Sequence, residues 1–180
     1  MNLSRRRFAQ ALALSPALSV LLLSPVGALM GALPRAAQAA DSDAAGAAAK
    51  VPLAIHGAQG PTRLQVEIAD EAEERNRGLM GRDYLPPNEG MLFLYAGAVR
   101  NGFWMRNTLI PLDIAFLDDD GRILEIQHME PCPPAASECP TTQPAEAYRA
   151  ALEVNAGTFE ALGIRQGDCV TWEGSTGTCG

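Results

Sequence analysis

The sequence predicts one mainly β domain of the α+β class, barrel-like or sandwich-like, with about seven short strands and two short helices. Short apolar runs that alternate with polar residues indicate strands, and two stretches carry helix signals. About 140 residues follow the N-terminal segment, which suits one hydrophobic core rather than several domains.

The first 39 residues have the features of a twin-arginine signal peptide. The basic stretch Ser4–Phe8 precedes an apolar run over residues 11–30, and Ala37-Gln38-Ala39 is a small-residue cleavage signal. A membrane anchor is the alternative, because about 20 apolar residues can cross a bilayer. Pro16 and Pro25 within the run, together with the cleavage signal, favour a peptide that is removed. The sequence therefore predicts a periplasmic or secreted protein.

The chain that remains after cleavage is strongly acidic. The full sequence has 14 basic and 21 acidic residues, and the first 39 residues contain four of the arginines and no acidic residue. The remaining ten basic and 21 acidic residues give a formal charge of −11. This charge argues against nucleic acid or anionic lipid as a partner. Residues 40–61 are predicted to be a linker with a possible first strand, and residues 62–180 the domain.

Four cysteines in an exported chain predict two disulfides, with three possible connectivities. We favour Cys132 with Cys139, across a proline-rich loop, and Cys169 with Cys179 near the C-terminus. A four-thiolate metal site is disfavoured because no two cysteines have the Cys-x-x-Cys spacing.

The first elements of the domain are a strand and a short helix. Thr62–Ala69 alternates apolar and polar residues, which predicts a strand with one buried face. Asp70 followed by Glu73 is a capping-box pattern, so a helix is expected to begin there. It should run through about Arg77 and end near Gly78, a residue type that commonly follows a helix.

The rest of the domain is predicted to contain mostly strands. Leu112–Asp118 alternates, with Leu112, Ile114 and Phe116 expected to face inward, and the turn at residues 119–121 joins it to a hairpin partner. A second helix is expected over Phe159–Leu162. The other strands are predicted at Met91–Tyr95, Gly102–Thr108, Arg122–Met129, Tyr148–Val154 and Asp168–Trp172.

Four motifs in a fixed order resemble those of the domain-of-unknown-function family number 192. They are EERNRGLMGR (73–82), GMLFLY (90–95), FWMRNTLIPLDIAFLDDDG (103–121) and LEVNAG (152–157). Gly81 departs from the pattern, since the family usually has a bulky residue there. The resemblance implies a compact β-rich domain that is often exported, and it implies no established activity.

The third of these motifs contains the candidate site. If residues 103–108 are extended, both faces of the strand mix apolar and polar side chains, as expected where a sheet meets a loop. Pro111 cannot donate a ladder hydrogen bond, so pairing should break near it and form a corner. The candidate ligand-binding residues expected around this corner are Arg82, Trp104, Asn107, Thr108, Asp113 and Glu153.

Two interpretations of this cluster remain open. In the structural one, the polar groups satisfy one another, and Arg82 pairs with Asp113 or Glu153 to hold a loop. In the binding one, the domain is a small periplasmic binding module for a polar ligand. Arg82 would then hold a carboxylate or a sugar acid, while Trp104 would stack on a sugar ring.

An enzyme acting on a sugar or sugar acid is a further alternative. The sequence has no recognisable catalytic motif, and its histidines are His56 and His128. Asp113 with Glu153 is a conceivable carboxylate pair for glycoside chemistry, although their spacing does not favour it. We therefore expect a protein that is not an enzyme.

Metal binding is the last alternative. The soft ligands Met80, Met91, Met105 and Met129, with His128, would suit Cu(I) in an exported protein. Methionines among apolar residues are ordinarily core residues, however, and the acidic turn at 118–122 lacks the further ligands of a calcium loop. The sequence predicts no cofactor.

Overall fold

The structure, a computed structural model, describes residues 49–133, 136, 138–177 and 179. The predicted signal peptide lies outside these residues. The α+β class is confirmed as mainly β, with two short helices. In chain order, the elements are β1 (Lys50–Gly57), β2 (Gly60–Ala69), α1 (Ala72–Arg77), β3 (Glu89–Val99), β4 (Phe103–Trp104), β5 (Leu112–Leu117), β6 (Ile123–Met129), β7 (Thr141–Thr142), β8 (Tyr148–Asn155), α2 (Thr158–Ala161) and β9 (Cys169–Trp172).

Seven strands form one curled sheet in the order β6-β5-β8-β3-β2-β1-β9, and β4 and β7 form a separate two-stranded sheet. The β2–β3 pair is parallel, because α1 and the loop after it carry the chain back across the sheet. The curl brings β9 next to the start of β6, where the Val170 N–H donates to the Gly121 carbonyl over 2.8 Å. The predicted barrel-like shape is confirmed as a partly closed barrel.

Both faces of the sheet are covered by apolar side chains. The first cluster lies on one face and includes Leu64, Val66 and Val154, while the second cluster lies on the other face. All six residues of β5 are buried, because successive side chains of this strand point alternately to the two covered faces of the sheet. The prediction that one face of this strand is buried was therefore incomplete: sequence alternation is weak where both sides of a sheet are covered.

Two local boundaries differ from the sequence prediction. The capping box of α1 uses Glu71 and Glu74 rather than Asp70 and Glu73, one residue further along the chain. The strand predicted over Gly102–Thr108 is only two residues long, because the chain turns after Trp104. The Thr108 N–H donates to the Met105 carbonyl, and Asn107 has a φ of 57°, which no extended strand accommodates.

The four cysteines lie in the two predicted pairs. The Cα atoms of Cys132 and Cys139 are 5.6 Å apart, and those of Cys169 and Cys179 are also 5.6 Å apart. In the part of the chain that the structure describes, no helix is long and apolar enough to span a membrane.

Candidate functional site

A cavity of about 400 Å³ opens beside Trp104, on the face of the sheet that carries the second cluster. We call it the Trp104 cavity. It lies between α1 with the turn that follows, the middle of β3, the short strand β4 and one residue of β8. Its lining residues are Ala72, Arg75, Asn76, Arg77, Gly78, Leu79, Met80, Phe93, Tyr95, Asn101, Gly102, Phe103, Trp104, Thr108 and Glu153.

The apolar wall of the cavity is a set of aromatic rings in edge-to-face contact. Phe103 packs against Phe93 with ring centroids 5.0 Å apart, and Tyr95 packs against Tyr148 at 5.4 Å. Such contacts hold rings in one orientation. Trp104, by contrast, is 49 % exposed, so its indole forms the rim of the cavity and is accessible to a ligand.

The strand that carries Trp104 is fixed by its partner strand and by a disulfide. Trp104 pairs with Thr141 of β7. The Cys132 N–H donates to the Met105 carbonyl over 3.4 Å, and Cys132 is joined to Cys139, two residues before β7. The disulfide therefore ties both sides of this small sheet together next to the rim.

Glu153 occupies a central strand yet its side chain lies on the cavity side. It pairs with Met91 on β3 and with Ile114 on β5, and both of these belong to the second cluster. Only 5 % of Glu153 is exposed. Among the described residues, none forms a hydrogen bond with its carboxyl group or with the hydroxyl of Thr108, which also lines the cavity.

Burial changes the protonation of this carboxyl group. Removal from water disfavours the charged form and raises the pKa of Glu153 from 4.5 to about 8. Within the described part of the chain, no charged partner offsets this effect. At neutral pH the group is therefore mostly a neutral carboxylic acid, which donates one hydrogen bond and accepts others.

Two arginines of α1 also line the cavity. The Arg75 guanidinium is 5.0 Å from the centroid of the Tyr95 ring, and its Nη1 donates to the Leu94 carbonyl over 3.0 Å and to the Asp70 carbonyl. Arg77 is exposed at the end of the helix, immediately before Gly78.

Of the site residues predicted from the sequence, Trp104, Thr108 and Glu153 line one cavity. Arg82 does not line it. Both terminal nitrogens of Arg82 donate to the Glu67 carboxylate, over 2.6 and 2.5 Å. These hydrogen bonds to Glu67 raise the pKa of Arg82. The expectation that Arg82 pairs with Asp113 or Glu153 was wrong, because the nearly buried carboxylate of Glu67 meets it instead.

Asp113 lies on the other face of the sheet from Glu153. It neighbours Ile114, the direct partner of Glu153, and successive side chains of a strand point to opposite faces. Its carboxylate accepts a hydrogen bond from the Gly157 N–H over 2.8 Å and lies 2.9 Å from the Nδ1 of His128. Asp113 and Glu153 therefore do not form the carboxylate pair that glycoside chemistry would need.

His128 was not expected to take part in this arrangement. Its Nε2 is 2.9 Å from the Glu130 carboxylate, and its Nδ1 contacts Asp113. The hydrogen bonds to Glu130 and then to Asp113 raise the pKa of His128. The signal for this pair was the hairpin register, which puts Asp113 opposite His128.

Asn107 contributes its backbone at a tight turn. Its φ of 57° is in the left-handed region, where asparagine is the most tolerated side chain after glycine. Its carbonyl accepts a hydrogen bond from the Gly81 N–H over 2.8 Å, which joins this turn to the loop after α1. Asn107 is exposed and does not line the cavity.

Metal-binding groups are not assembled in the described residues. No set of three or more His, Cys, Asp or Glu side chains there has the geometry to hold a metal ion. Of the methionines considered for copper, Met91, Met105 and Met129 are buried in the second cluster. Met80 lines the Trp104 cavity without a second sulfur or imidazole among the other lining residues.

The fold and cavity define a class of small β domain in which the curled sheet carries a polar and aromatic cavity on one face. The chain belongs to the DUF192 family, described as "Uncharacterized ACR", whose profile matches residues 54–172. The resemblance drawn from the four motifs is thereby confirmed.

Two solved structures share this fold. One is described as a "putative transcription regulator" from Sinorhizobium meliloti 1021; it is 34 % identical, with a TM-score of 0.63, over 71 % of this chain and 96 % of that one. The other is a protein of unknown function from Novosphingobium aromaticivorans DSM 12444, 37 % identical with a TM-score of 0.62, over 68 % of this chain and 85 % of that one. No curated protein matches the chain.

Proposed function

We propose that this domain is a small-ligand binding module and that the Trp104 cavity is its binding site. The observation that supports this most strongly is Glu153. A carboxyl group on a central strand costs folding free energy unless it is paired, and buried polar groups are normally hydrogen-bonded. This one faces a cavity and has no partner among the described residues. A ligand that enters the cavity would provide hydrogen-bond partners for this carboxyl group.

The composition of the cavity fits a small molecule with a polar group at its buried end. A volume of about 400 Å³ is at the lower end of the range for ligand pockets. The neutral Glu153 carboxyl and the Thr108 hydroxyl would bind the buried polar end. The Arg106 guanidinium lies 5.6 Å from the centroid of the Trp104 ring, and the exposed part of the indole would cover a flat or ring-shaped part of the ligand.

The proposed setting is the periplasm or the extracellular space, after export by the twin-arginine route. Two disulfides are compatible with such an oxidising compartment. The chain has 21 acidic and 14 basic residues, and this net negative charge argues against DNA as its ligand. The description of the similar Sinorhizobium meliloti structure as a transcription regulator is therefore not carried over to this chain.

A thermal-shift and fluorescence screen tests this proposal. Trp172→Phe leaves Trp104 as the one tryptophan, so that its emission reports on the cavity. The screen uses neutral sugars, sugar acids and peptidoglycan fragments. A ligand at ten times its Kd stabilises the fold by about 1.4 kcal/mol, which corresponds to about 5 °C in Tm. We expect at least one compound to raise Tm and to change Trp104 emission with saturation.

Matched variants separate binding in the cavity from binding elsewhere. Trp104→Ala and Thr108→Val should abolish the ligand-induced rise in Tm. Tyr84→Ala should preserve it, because Tyr84 is a 67 % exposed aromatic residue outside the cavity. If no compound changes Tm, or if the three variants bind equally well, the cavity is not a binding site.

A further inference from the structure

The electrostatic character of the Trp104 cavity differs from that of the chain. The sequence has seven more acidic than basic residues. The charged side chains that line the cavity are nevertheless Arg75, Arg77 and Glu153, two bases and one acid. The acid is the one that burial keeps uncharged at neutral pH, so the cavity carries a net positive charge within an acidic protein.

Neither arginine forms an ion pair with a carboxylate of the described residues. Among the described residues, the ion pairs with acidic partners are made by Lys50, Arg82, His128 and Arg149. Neither acid within α1 forms an ion pair with these arginines. Glu74 accepts hydrogen bonds from the N–H groups of Asp70 and Glu71 at the start of α1, and Glu73 is exposed.

Arg75 is held in place before any ligand arrives. Its stacking on Tyr95 and its hydrogen bond to the Leu94 carbonyl involve one face of the guanidinium and one terminal nitrogen. Nε and the second terminal nitrogen keep their N–H donors, in the planar fork that matches an oxyanion. Fixing such a side chain in advance lowers the entropic cost of binding.

We propose that the ligand of the Trp104 cavity is a small organic anion, whose oxyanion is held by Arg75 and Arg77 and whose uncharged part lies toward Trp104 and Glu153. This inference rests on the proposed binding function. The sequence suggested an anion-binding role for Arg82, but both of its terminal nitrogens donate hydrogen bonds to Glu67. Arg75 and Arg77 take that role in this proposal.

Matched pairs of probes test the charge requirement. Each pair is a carboxylate and a neutral analogue of similar shape: D-glucuronate with D-glucose, benzoate with benzamide, and glycerate with glycerol. Titrations are followed by calorimetry and by Trp104 emission in the Trp172→Phe protein at pH 7. We expect at least one carboxylate to bind with a Kd at least tenfold lower than its neutral analogue. Raising NaCl from about 0.05 to 0.5 M should weaken that binding severalfold.

Arginine variants identify the residues responsible. Arg77→Gln should raise the Kd of the carboxylate about tenfold, and this arginine has no hydrogen bond among the described residues that the fold would lose. Arg75→Gln should have a larger effect. The control is Arg63→Gln, which removes the same charge from an exposed position of β2 outside the cavity and should change nothing.

The outcomes distinguish this inference from the function on which it rests. If a neutral analogue binds as tightly as its carboxylate, or if Arg75→Gln and Arg77→Gln bind the carboxylate as well as the parent protein does, the anion assignment is overturned and the binding module stands. If neither kind of probe binds, both are overturned.

Discussion

Replacing Glu153 by glutamine should make the domain more stable, and the gain should grow with pH. Glutamine has nearly the shape of a protonated glutamate but no charge to lose. Burial raises the pKa of Glu153 from 4.5 to about 8, and each pKa unit corresponds to ~1.4 kcal/mol. Keeping this carboxyl in the folded protein at pH 8 and above therefore costs at most about 5 kcal/mol.

The pH window of this cost follows from the two pKa values. Below pH 4.5 the carboxyl is protonated in the folded and the unfolded chain, so Glu153 and glutamine should behave alike. Between pH 4.5 and 8 the unfolded chain releases the proton and the folded protein keeps it. The free energy of unfolding then falls as pH rises, by up to ~1.4 kcal/mol per pH unit from this group.

Urea denaturation of both proteins at pH 5, 6, 7 and 8, at constant ionic strength, measures this effect. The difference between Glu153→Gln and the parent protein should be small at pH 5 and should rise to several kcal/mol at pH 8. His128 and the other titrating groups cancel in the difference because both proteins contain them. Glu146→Gln, at an exposed position, provides the matched control. A difference that is the same at every pH would refute the reasoning.

Three further variants test the assignments made to other residues. Glu67→Gln should cost about 1–3 kcal/mol in urea unfolding, because Arg82 loses its carboxylate, and the apolar double variant Glu67→Leu/Arg82→Met should recover most of it; no recovery would mean that the pair is not the cause. Asp113→Ala should lower stability by about 1–3 kcal/mol, since the Gly157 N–H is left without its partner, and an unchanged Tm would contradict a structural role. Trp104→Ala should change stability by less than about 1 kcal/mol in the same assay, because the indole is half exposed, and a larger loss would assign it to the core.

Much of the fold could be predicted from local sequence pattern. The strand that became β2 alternates clearly, and Gly121 closes the hairpin between β5 and β6 with a φ of 77°. Both disulfides follow from short separations of 7 and 10 residues. Each of these features depends on residues that are close together in the chain.

The site was harder to predict because it depends on which face of the sheet each residue occupies. Asp113 and Glu153 are one register position apart on adjacent strands, yet that single step puts their carboxyl groups on opposite sides of the sheet. Arg82 could not be matched to Glu67 without the parallel pairing of β2 and β3. The short turn at Asn107 was likewise hidden within a run of strand-forming residues.

The arginines of the cavity were missed for a related reason. Arg75 and Arg77 fall in the predicted helix, where charged residues ordinarily face solvent. Their motif, EERNRGLMGR, indicates the family but no role for these two arginines. The helix is short and buries none of its residues. Arg75 and Arg77 line a cavity only because residues of β3 and β4 lie beside the helix.

The most direct test of this account is an NMR titration of the Glu153 side-chain carboxyl carbon in the free protein, assigned by comparison with Glu153→Gln. We predict a midpoint near pH 8, because the carboxyl group is buried and no cationic partner among the described residues stabilises its charged form. A midpoint near 4.5, the ordinary value for glutamate, would contradict it.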